Sequence, residues 1–214
     1  MNIASKTKRL TFLGVIIALQ MVMTFAHIGF IRLPFLNATI LHIPVIIGAV
    51  LLGPIDGAIL GLVFGLLSVT MATIEPNVTS FVFSPFYSLD GVSGNGFSLV
   101  VAIVPRVLIG ITSYYTYKLI STRKNKKLRL LSYVAAGIVG SLTNTVFVMS
   151  FIYLFFGNTG AFAATMQQGI SAVFWAIIAV VGTNGIPEAI ASAIIVTAVC
   201  KVLSKVFISS LGTR

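Results

Sequence analysis

The stretch Phe97–Tyr115, FSLVVAIVPRVLIGITSYY, is apolar over most of its length and contains one charged residue, Arg106. A helix that crosses the hydrocarbon core of a bilayer needs about 20 predominantly apolar residues. Strands of transmembrane β-barrels instead alternate apolar and polar residues. A second apolar run, GTNGIPEAIASAIIV at Gly182–Val196, contains Asn184 and Glu188. Both runs therefore predict transmembrane helices that carry polar groups.

The composition of the whole chain leads to the same class of protein. Of its 214 residues, 57% are hydrophobic and 8% are charged, whereas about a quarter of the residues in a soluble domain are charged. Such a chain has too few polar residues to cover a surface in contact with water. The sequence therefore predicts an all-α, multi-pass integral protein of the cell membrane and excludes a water-soluble protein.

The formal net charge of +10 comes from basic residues that lie beside the apolar runs. Twelve of the 14 basic residues form three clusters, which are Lys6, Lys8 and Arg9; Lys118, Arg123, Lys124, Lys126, Lys127 and Arg129; and Lys201, Lys205 and Arg214. Short basic clusters beside transmembrane helices stay in the cytoplasm. We therefore expect the lipid bilayer, and no nucleic acid, as the environment of these charges, with both termini cytoplasmic.

The apolar runs predict a single domain of six transmembrane helices. The spans are about 10–28, 36–52, 58–74, 97–119, 131–156 and 185–207. The segment Phe162–Gly182 is ambiguous, since it fits a loop, an interfacial helix or part of a span. Its apolar part is too short to cross a bilayer alone, and a seventh span would move the last basic cluster to the other side. We therefore expect an external loop or an interfacial helix there.

Charged residues inside transmembrane helices are costly, by about 2.5 kcal/mol or more for Arg at mid-helix. Two interpretations of Arg106 and Glu188 are open. Either they pair and only lock the fourth helix to the sixth, or they line a polar pocket that opens outward. Asn184 lies one turn before Glu188 on the same face, and the fifth helix contributes Asn144 and Ser141. Polar groups from three helices favour the pocket.

Small residues four apart recur on two predicted helices. Gly14 and Ala18 lie on the first helix, and Gly57, Gly61 and Gly65 lie on the third. Such spacing lets membrane helices approach closely. We expect internal packing for the third helix, and either packing or contact with another subunit for the first.

Little in the sequence indicates catalysis. One cysteine and four acidic residues provide no multi-cysteine metal site and no carboxylate pair for acid–base chemistry. The sequence lacks a G-x-x-x-x-G-K-[ST] phosphate loop, so we do not expect ATP hydrolysis by that route. We predict no catalytic residue, metal or cofactor, and an intramembrane enzyme is disfavoured. A stand-alone secondary transporter or channel is an alternative, although Glu188 would be its one mid-membrane carboxylate.

Three stretches together resemble the substrate-binding S-components of energy-coupling factor (ECF) vitamin transporters. They are HIPVIIGAVLLGPIDGAILGLVFGLLSV at His42–Val69, VPRVLIGITSYYTYKLI at Val104–Ile120 and TNGIPEAIASAIIVTAV at Thr183–Val199. The resemblance extends over nearly the whole chain and agrees with the six-helix layout. Among S-components, the chain looks most like those for pantothenate. S-components for folate, riboflavin, niacin or hydroxymethylpyrimidine are alternatives.

The resemblance implies a subunit that binds one small-molecule vitamin at its outer face. It also implies partners, namely a transmembrane coupling protein, which the small residues Gly14 and Ala18 would contact, and two P-loop ATPases. The implied pocket lies in the last three helices and the loops, and its candidate residues are Arg106, Asn144, Asn184, Glu188, Tyr87 and Asn95. We expect Arg106 to bind a substrate carboxylate, because the planar guanidinium matches that group, and Glu188 to hold Arg106 from the side.

Overall fold

The computed structural model describes residues 3–31, 38–89, 92–121, 125–159, 162–163 and 167–211. Three residues of the basic clusters, Arg123, Lys124 and Arg214, lie outside this part of the chain, as does the predicted start of the second span near residue 36.

Helices make up nearly all of the described structure. They are α1 Ile3–Phe25, α2 His42–Leu52, α3 Pro54–Ile74, α4 Gly96–Ile120, α5 Lys126–Phe156, α6 Ile170–Val180 and α7 Ile186–Leu211. A π-helical turn, Val181–Gly185, joins α6 to α7 without a break. Two antiparallel pairs of two-residue strands complete the fold, β1 Phe30–Ile31 with β2 Ala38–Thr39 and β3 Ser88–Leu89 with β4 Val92–Ser93.

Five of the described helical segments are long and apolar enough to cross a membrane. They are Lys6–Phe25, Pro54–Ile74, Gly96–Ile120, Lys126–Phe156 and Ile170–Ser204, and α2 is a shorter apolar helix. The prediction of an all-α membrane protein with six main helices is therefore confirmed.

The last helical segment differs from the sequence prediction. The helix begins at Ile170 and not near residue 185. The sequence prediction placed the start near residue 185 because the preceding apolar part is too short to cross a bilayer alone, but the chain continues through Gly182 and Gly185 in a π turn. A π turn tolerates a missing hydrogen bond by shifting the register of the backbone.

The helices α1 to α5 and the segment α6–α7 alternate in direction along the chain, so α1 and α3 run in parallel and the bundle has two different ends. The end that carries the start of α1, the turn at Gly53, the end of α4 and the start of α5 is called the basic end. There Arg9 binds Asp56 through two parallel hydrogen bonds, with 2.8 Å between Nη2 and Oδ1. The opposite end, which carries the end of α1, the strands β1 and β2, and the described residues between α3 and α4, is called the loop end. There His27 contacts Glu75, with 2.6 Å between Nε2 and Oε1.

Glycines on α3 allow α4 to pack unusually close to it. A Cβ built on Gly61 would lie 2.1 Å from the carbonyl oxygen of Arg106, and one built on Gly65 would lie 2.9 Å from that of Ala102. Gly57 lies between α2 and α4, since a Cβ built on it would lie 2.5 Å from Cβ of Ala49 and 3.1 Å from Cα of Gly110. The prediction that this small-residue stripe serves internal packing is confirmed, and the contact fixes the part of α4 that carries Arg106.

Candidate functional site

Arg106 is buried in the middle of α4, with 5% of its surface exposed. Its Nη1 donates a hydrogen bond of 2.7 Å to the carbonyl oxygen of Val101. In a regular α-helix that carbonyl accepts from the backbone N–H of residue 105, but residue 105 is a proline and has no N–H. Pro105 therefore leaves a backbone acceptor open, and the next side chain along the chain satisfies it.

The guanidinium of Arg106 is held between two aromatic rings. Its central carbon lies 5.4 Å from the ring centroid of Phe64 on α3 and 5.2 Å from that of Phe83 in the segment before α4. Both distances are in the range of favourable cation–π contacts. Phe64 belongs to one hydrophobic cluster of the bundle and Phe83 packs against another. Arg106 thus lies where these two clusters meet.

A cavity of about 60 Å³ lies against Arg106. Four of the six predicted substrate-binding residues line it, and they come from four elements: Arg106 from α4, Asn144 from α5, Asn184 from the π turn and Glu188 from α7. The rest of its wall is formed by Thr39, Phe83, Thr145, Val148, Met149 and Val180. The polar residues of three sequence-distant apolar runs are therefore neighbours around one space.

Glu188 does not pair directly with Arg106. Both side chains are among the described residues, yet no hydrogen bond or ion pair joins them, and their charges attract only across the cavity. Oε1 of Glu188 instead accepts a hydrogen bond of 2.9 Å from the backbone N–H of Thr39. These contacts therefore do not support a direct Arg106–Glu188 pair that locks the two helices together. They also do not support the expectation that Glu188 holds Arg106 from the side. Glu188 attaches α7 to the connection between α1 and α2.

The π turn determines where Asn184 lies. Pro187 cannot donate to the carbonyl of Thr183, so the helix cannot keep its regular hydrogen bonds at this point. The Thr183 hydroxyl donates to the carbonyl of Ala179, at 2.9 Å. π turns within α-helices are frequent at functional sites. In this chain the turn lies beside the cavity and supplies one of its polar residues.

Tyr87 and Asn95 are not in the wall of this cavity. Tyr87 is partly buried and packs against the hydrophobic cluster of Phe81 and Val82. Asn95 is the N-cap of α4, where its Oδ1 accepts from the N–H of Phe97 at 2.9 Å and its own N–H donates to Ser98 Oγ at 3.1 Å. The polar side chain of Asn95 therefore has a structural partner in the described chain.

A second cavity, of about 40 Å³, also lies against Phe83. Thr39, Phe83 and Arg106 border both cavities, and the second also contacts Ser68, Met71, Ala72, Asn77 and Ser80. Nothing in the sequence indicated that Thr39 or Ser68 lies near Arg106. Two prolines were an available signal, because Pro105 and Pro187 each directly precede a charged residue that lines the first cavity.

Two buried polar atoms at the first cavity lack a hydrogen-bond partner among the described residues. They are Nε of Arg106, which is a donor, and Oδ1 of Asn144, which is an acceptor. Buried polar groups are nearly always hydrogen-bonded, so each exception requires an explanation. The positively charged donor of Arg106 matches an anionic group of a ligand, and the neutral acceptor of Asn144 matches an N–H or O–H group next to it in the same ligand.

The small residues of α1 lie on the opposite side of that helix from the core. Leu13, Ile16 and Gln20 are buried, whereas Gly14 and Ala18 are exposed. A Cβ built on Gly14 would meet nothing within 4 Å. The Gly14–Ala18 face is therefore not used for packing within the described chain.

The helical bundle, with a polar cavity enclosed near one end, is the architecture of a membrane protein that binds a small molecule. Residues 8–200 match the family described as "ECF transporter, substrate-specific component". The chain belongs to this family and is a multi-pass membrane protein.

Among characterised proteins, the chain is similar to the "Pantothenic acid transporter PanT" of Lactococcus lactis subsp. cremoris (strain MG1363). The two are 38% identical over 204 residues, which cover 94% of this chain and 96% of the relative.

Proposed function

We propose that the chain is the substrate-binding subunit of an ECF-type ABC transporter for pantothenate and that Arg106 binds the vitamin's carboxylate. The observation that carries this proposal is the buried guanidinium with an unpaired Nε–H beside the unpaired Asn144 Oδ1. The family and the name of the relative support it. Pantothenate has a carboxylate at one end, an amide in the middle and hydroxyls at the other end.

The charges in the cavity give the vitamin one orientation. The carboxylate lies at Arg106, where a guanidinium offers two parallel charge-assisted hydrogen bonds. The amide lies near Asn144 and Asn184. The hydroxyl end lies near Glu188, because a carboxylate accepts from hydroxyls and repels another carboxylate.

Binding requires Phe83 to move. The two cavities measure about 60 and 40 Å³, whereas pockets that enclose drug-sized ligands measure about 300–1,000 Å³. Phe83 borders both cavities, so a change in its side-chain position joins them. The segment that carries Phe83 thereby acts as the cover of the site.

Ligand binding to the purified protein tests the substrate. Isothermal titration calorimetry compares pantothenate with panthenol, in which an alcohol replaces the carboxylate, and with niacin, riboflavin and folate. A hydrogen bond to a charged group contributes about 1.5–3 kcal/mol, so panthenol is expected to bind at least about tenfold more weakly. Equal affinity of the two compounds would show that Arg106 does not bind the carboxylate. Tight binding of a different vitamin alone would overturn the assignment of pantothenate.

The exposed Gly14–Ala18 face is the proposed contact with the coupling protein, which assembles with two ATPases. Gly14→Leu should weaken co-purification of the coupling protein and leave pantothenate affinity unchanged, because a bulky side chain separates closely packed helices. Ala179→Leu places the same side chain on an exposed position of α6 and is the control. If Gly14→Leu co-purifies with the partner as well as the control does, the contact lies elsewhere.

The basic end is proposed to be cytoplasmic, because its Lys and Arg residues follow the positive-inside rule. Exposed positions at the two ends, Lys6 and Asn158, are suitable for single cysteines in a Cys200→Ala background. A membrane-impermeant maleimide should label Asn158→Cys, and not Lys6→Cys, in intact cells. Labelling of Lys6→Cys from outside would reverse the orientation.

A further inference from the structure

A cavity of about 350 Å³ at the basic end lies between the start of α5 and the end of α7. Four basic residues contribute to its wall, Lys126, Lys127 and Arg129 from α5 and Lys201 from α7. Tyr133 and Ser204 form its buried floor, with 2% and 8% of their surfaces exposed. This space is called the basic cleft, and it is separate from the site around Arg106.

The positive charge of the basic cleft is not neutralised within the described chain. None of the four basic side chains makes a hydrogen bond or an ion pair to a described residue. The chain has four acidic residues. Asp56 is bound to Arg9, Glu75 and Glu188 lie toward the loop end, and Asp90 falls in the sequence between β3 and β4. Four neighbouring cations without an acidic partner in the described chain therefore favour an anion from outside it.

The side chains, and not the backbone, are what this cleft offers to an anion. Asn125 caps α5, and its Oδ1 accepts from the N–H of Lys127 at 2.9 Å and from that of Leu128 at 3.4 Å. Two of the amides that would otherwise be free at this helix start are thus already used. The Lys and Arg side chains are the donors that remain.

An apolar surface continues directly from the basic cleft. Leu130 lines the cleft itself, and the neighbouring residues Leu131 and Val202 are 52% and 62% exposed. A basic cleft at the end of membrane helices, joined to exposed apolar side chains, matches a ligand with an anionic head and apolar chains. An acidic protein segment would use the charges but not this apolar surface.

We propose that the basic cleft binds the phosphate headgroup of an anionic phospholipid, with the acyl chains along Leu130, Leu131 and Val202. The lipid belongs to the leaflet at the basic end of the bundle. Arg129 and Lys201, from two different helices, bind the phosphate together, so the lipid also connects the start of α5 to the end of α7.

Native mass spectrometry of the delipidated protein tests this site with dioleoyl-phosphatidylglycerol and dioleoyl-phosphatidylcholine at equal concentrations. The test variant is Arg129→Gln/Lys201→Gln. The control, Lys6→Gln/Lys118→Gln, also removes two positive charges, from positions outside the cleft. A basic residue near an anionic lipid contributes about fivefold in affinity, so the test variant should bind phosphatidylglycerol roughly 30-fold more weakly. The control should bind it like the original protein.

Any one of the following four results would overturn the proposal. Equal binding of the two lipids would show that the headgroup charge is not recognised, and equal loss in both variants would show a general effect of net charge. Displacement of phosphatidylglycerol by inorganic phosphate at equal concentration would identify a free-anion site. Normal lipid binding by the test variant, with loss of a co-purified ATPase module, would identify a protein contact. Pantothenate affinity, measured on the same samples, shows that both variants are folded and is independent of the lipid result.

Discussion

Replacing Arg106 with lysine keeps the positive charge and removes the planar arrangement of donors. Arg106 uses Nη1 for the carbonyl of Val101 and has Nε unpaired in the cavity. One guanidinium can therefore bind its own helix and a carboxylate at the same time. A single ammonium group cannot reproduce both interactions in the same geometry.

The expected loss of affinity follows from the number of hydrogen bonds that residue 106 can donate to the carboxylate. A bidentate contact with the carboxylate becomes a single contact, which removes one charge-assisted hydrogen bond of about 1.5–3 kcal/mol. That corresponds to a dissociation constant for pantothenate that is roughly 10- to 150-fold higher. The contacts with Phe64 and Phe83 change as well, because the ammonium group does not stack as a plane on aromatic rings.

Calorimetric titration with pantothenate measures this change, and thermal unfolding in detergent shows whether the variant is folded. Arg129→Lys makes the same substitution at the basic end and should leave the affinity unchanged. Glu188→Gln keeps an acceptor for the N–H of Thr39, so it should still bind measurably. If Arg106→Lys binds pantothenate within about twofold of the original protein, when a lost charge-assisted bond predicts at least tenfold, Arg106 does not contact the carboxylate.

Three further substitutions separate the structural from the binding roles. Pro105→Ala restores a backbone N–H that competes for the Val101 carbonyl, so it should raise the unfolding temperature and weaken pantothenate binding. This account would be contradicted if the variant lost neither stability nor affinity, or if it lost both. Gly61→Ala places a methyl group against a backbone carbonyl and should cost about 1–3 kcal/mol, seen as a lower unfolding temperature, whereas Gly14→Ala should not lower it. Asn95→Ala removes the cap of α4 and should cost about 1 kcal/mol without changing the dissociation constant, and a large change in affinity would return Asn95 to the binding site.

The sequence predicted those residues of the polar site whose position follows from the cost of placing polar groups in a membrane. Arg106, Asn144, Asn184 and Glu188 interrupt apolar runs, and such residues face a protein interior or a water-filled space and not lipid. That constraint is strong enough to place them together without any knowledge of the loops.

The remaining parts of the site depend on how the loops fold. Thr39 and Phe83 lie in short connecting segments whose polar or aromatic character is ordinary for loops, so nothing in the sequence marked them. Asn95 was predicted to bind the ligand because of its polar side chain, but asparagine is equally typical of a helix N-cap. The start of the last helix was placed too late because the apolar part of Phe162–Gly182 is too short to cross a bilayer alone, and the sequence did not show that a π turn joins it to the next helix.

The π turn at Val181–Gly185 divides the longest helical segment into two halves that face their surroundings independently. The π turn contains one residue more than an α-helical turn of similar height. Its effect is therefore that of inserting one residue into a straight helix. Each inserted residue rotates everything before it by about 100° around the axis. Deleting one residue there would remove the extra residue of the turn and rotate the side chains of Ile170–Val180 away from their present neighbours, while α7 kept its own. The half that precedes the turn can therefore be reoriented without altering the surface of α7 that packs in the bundle.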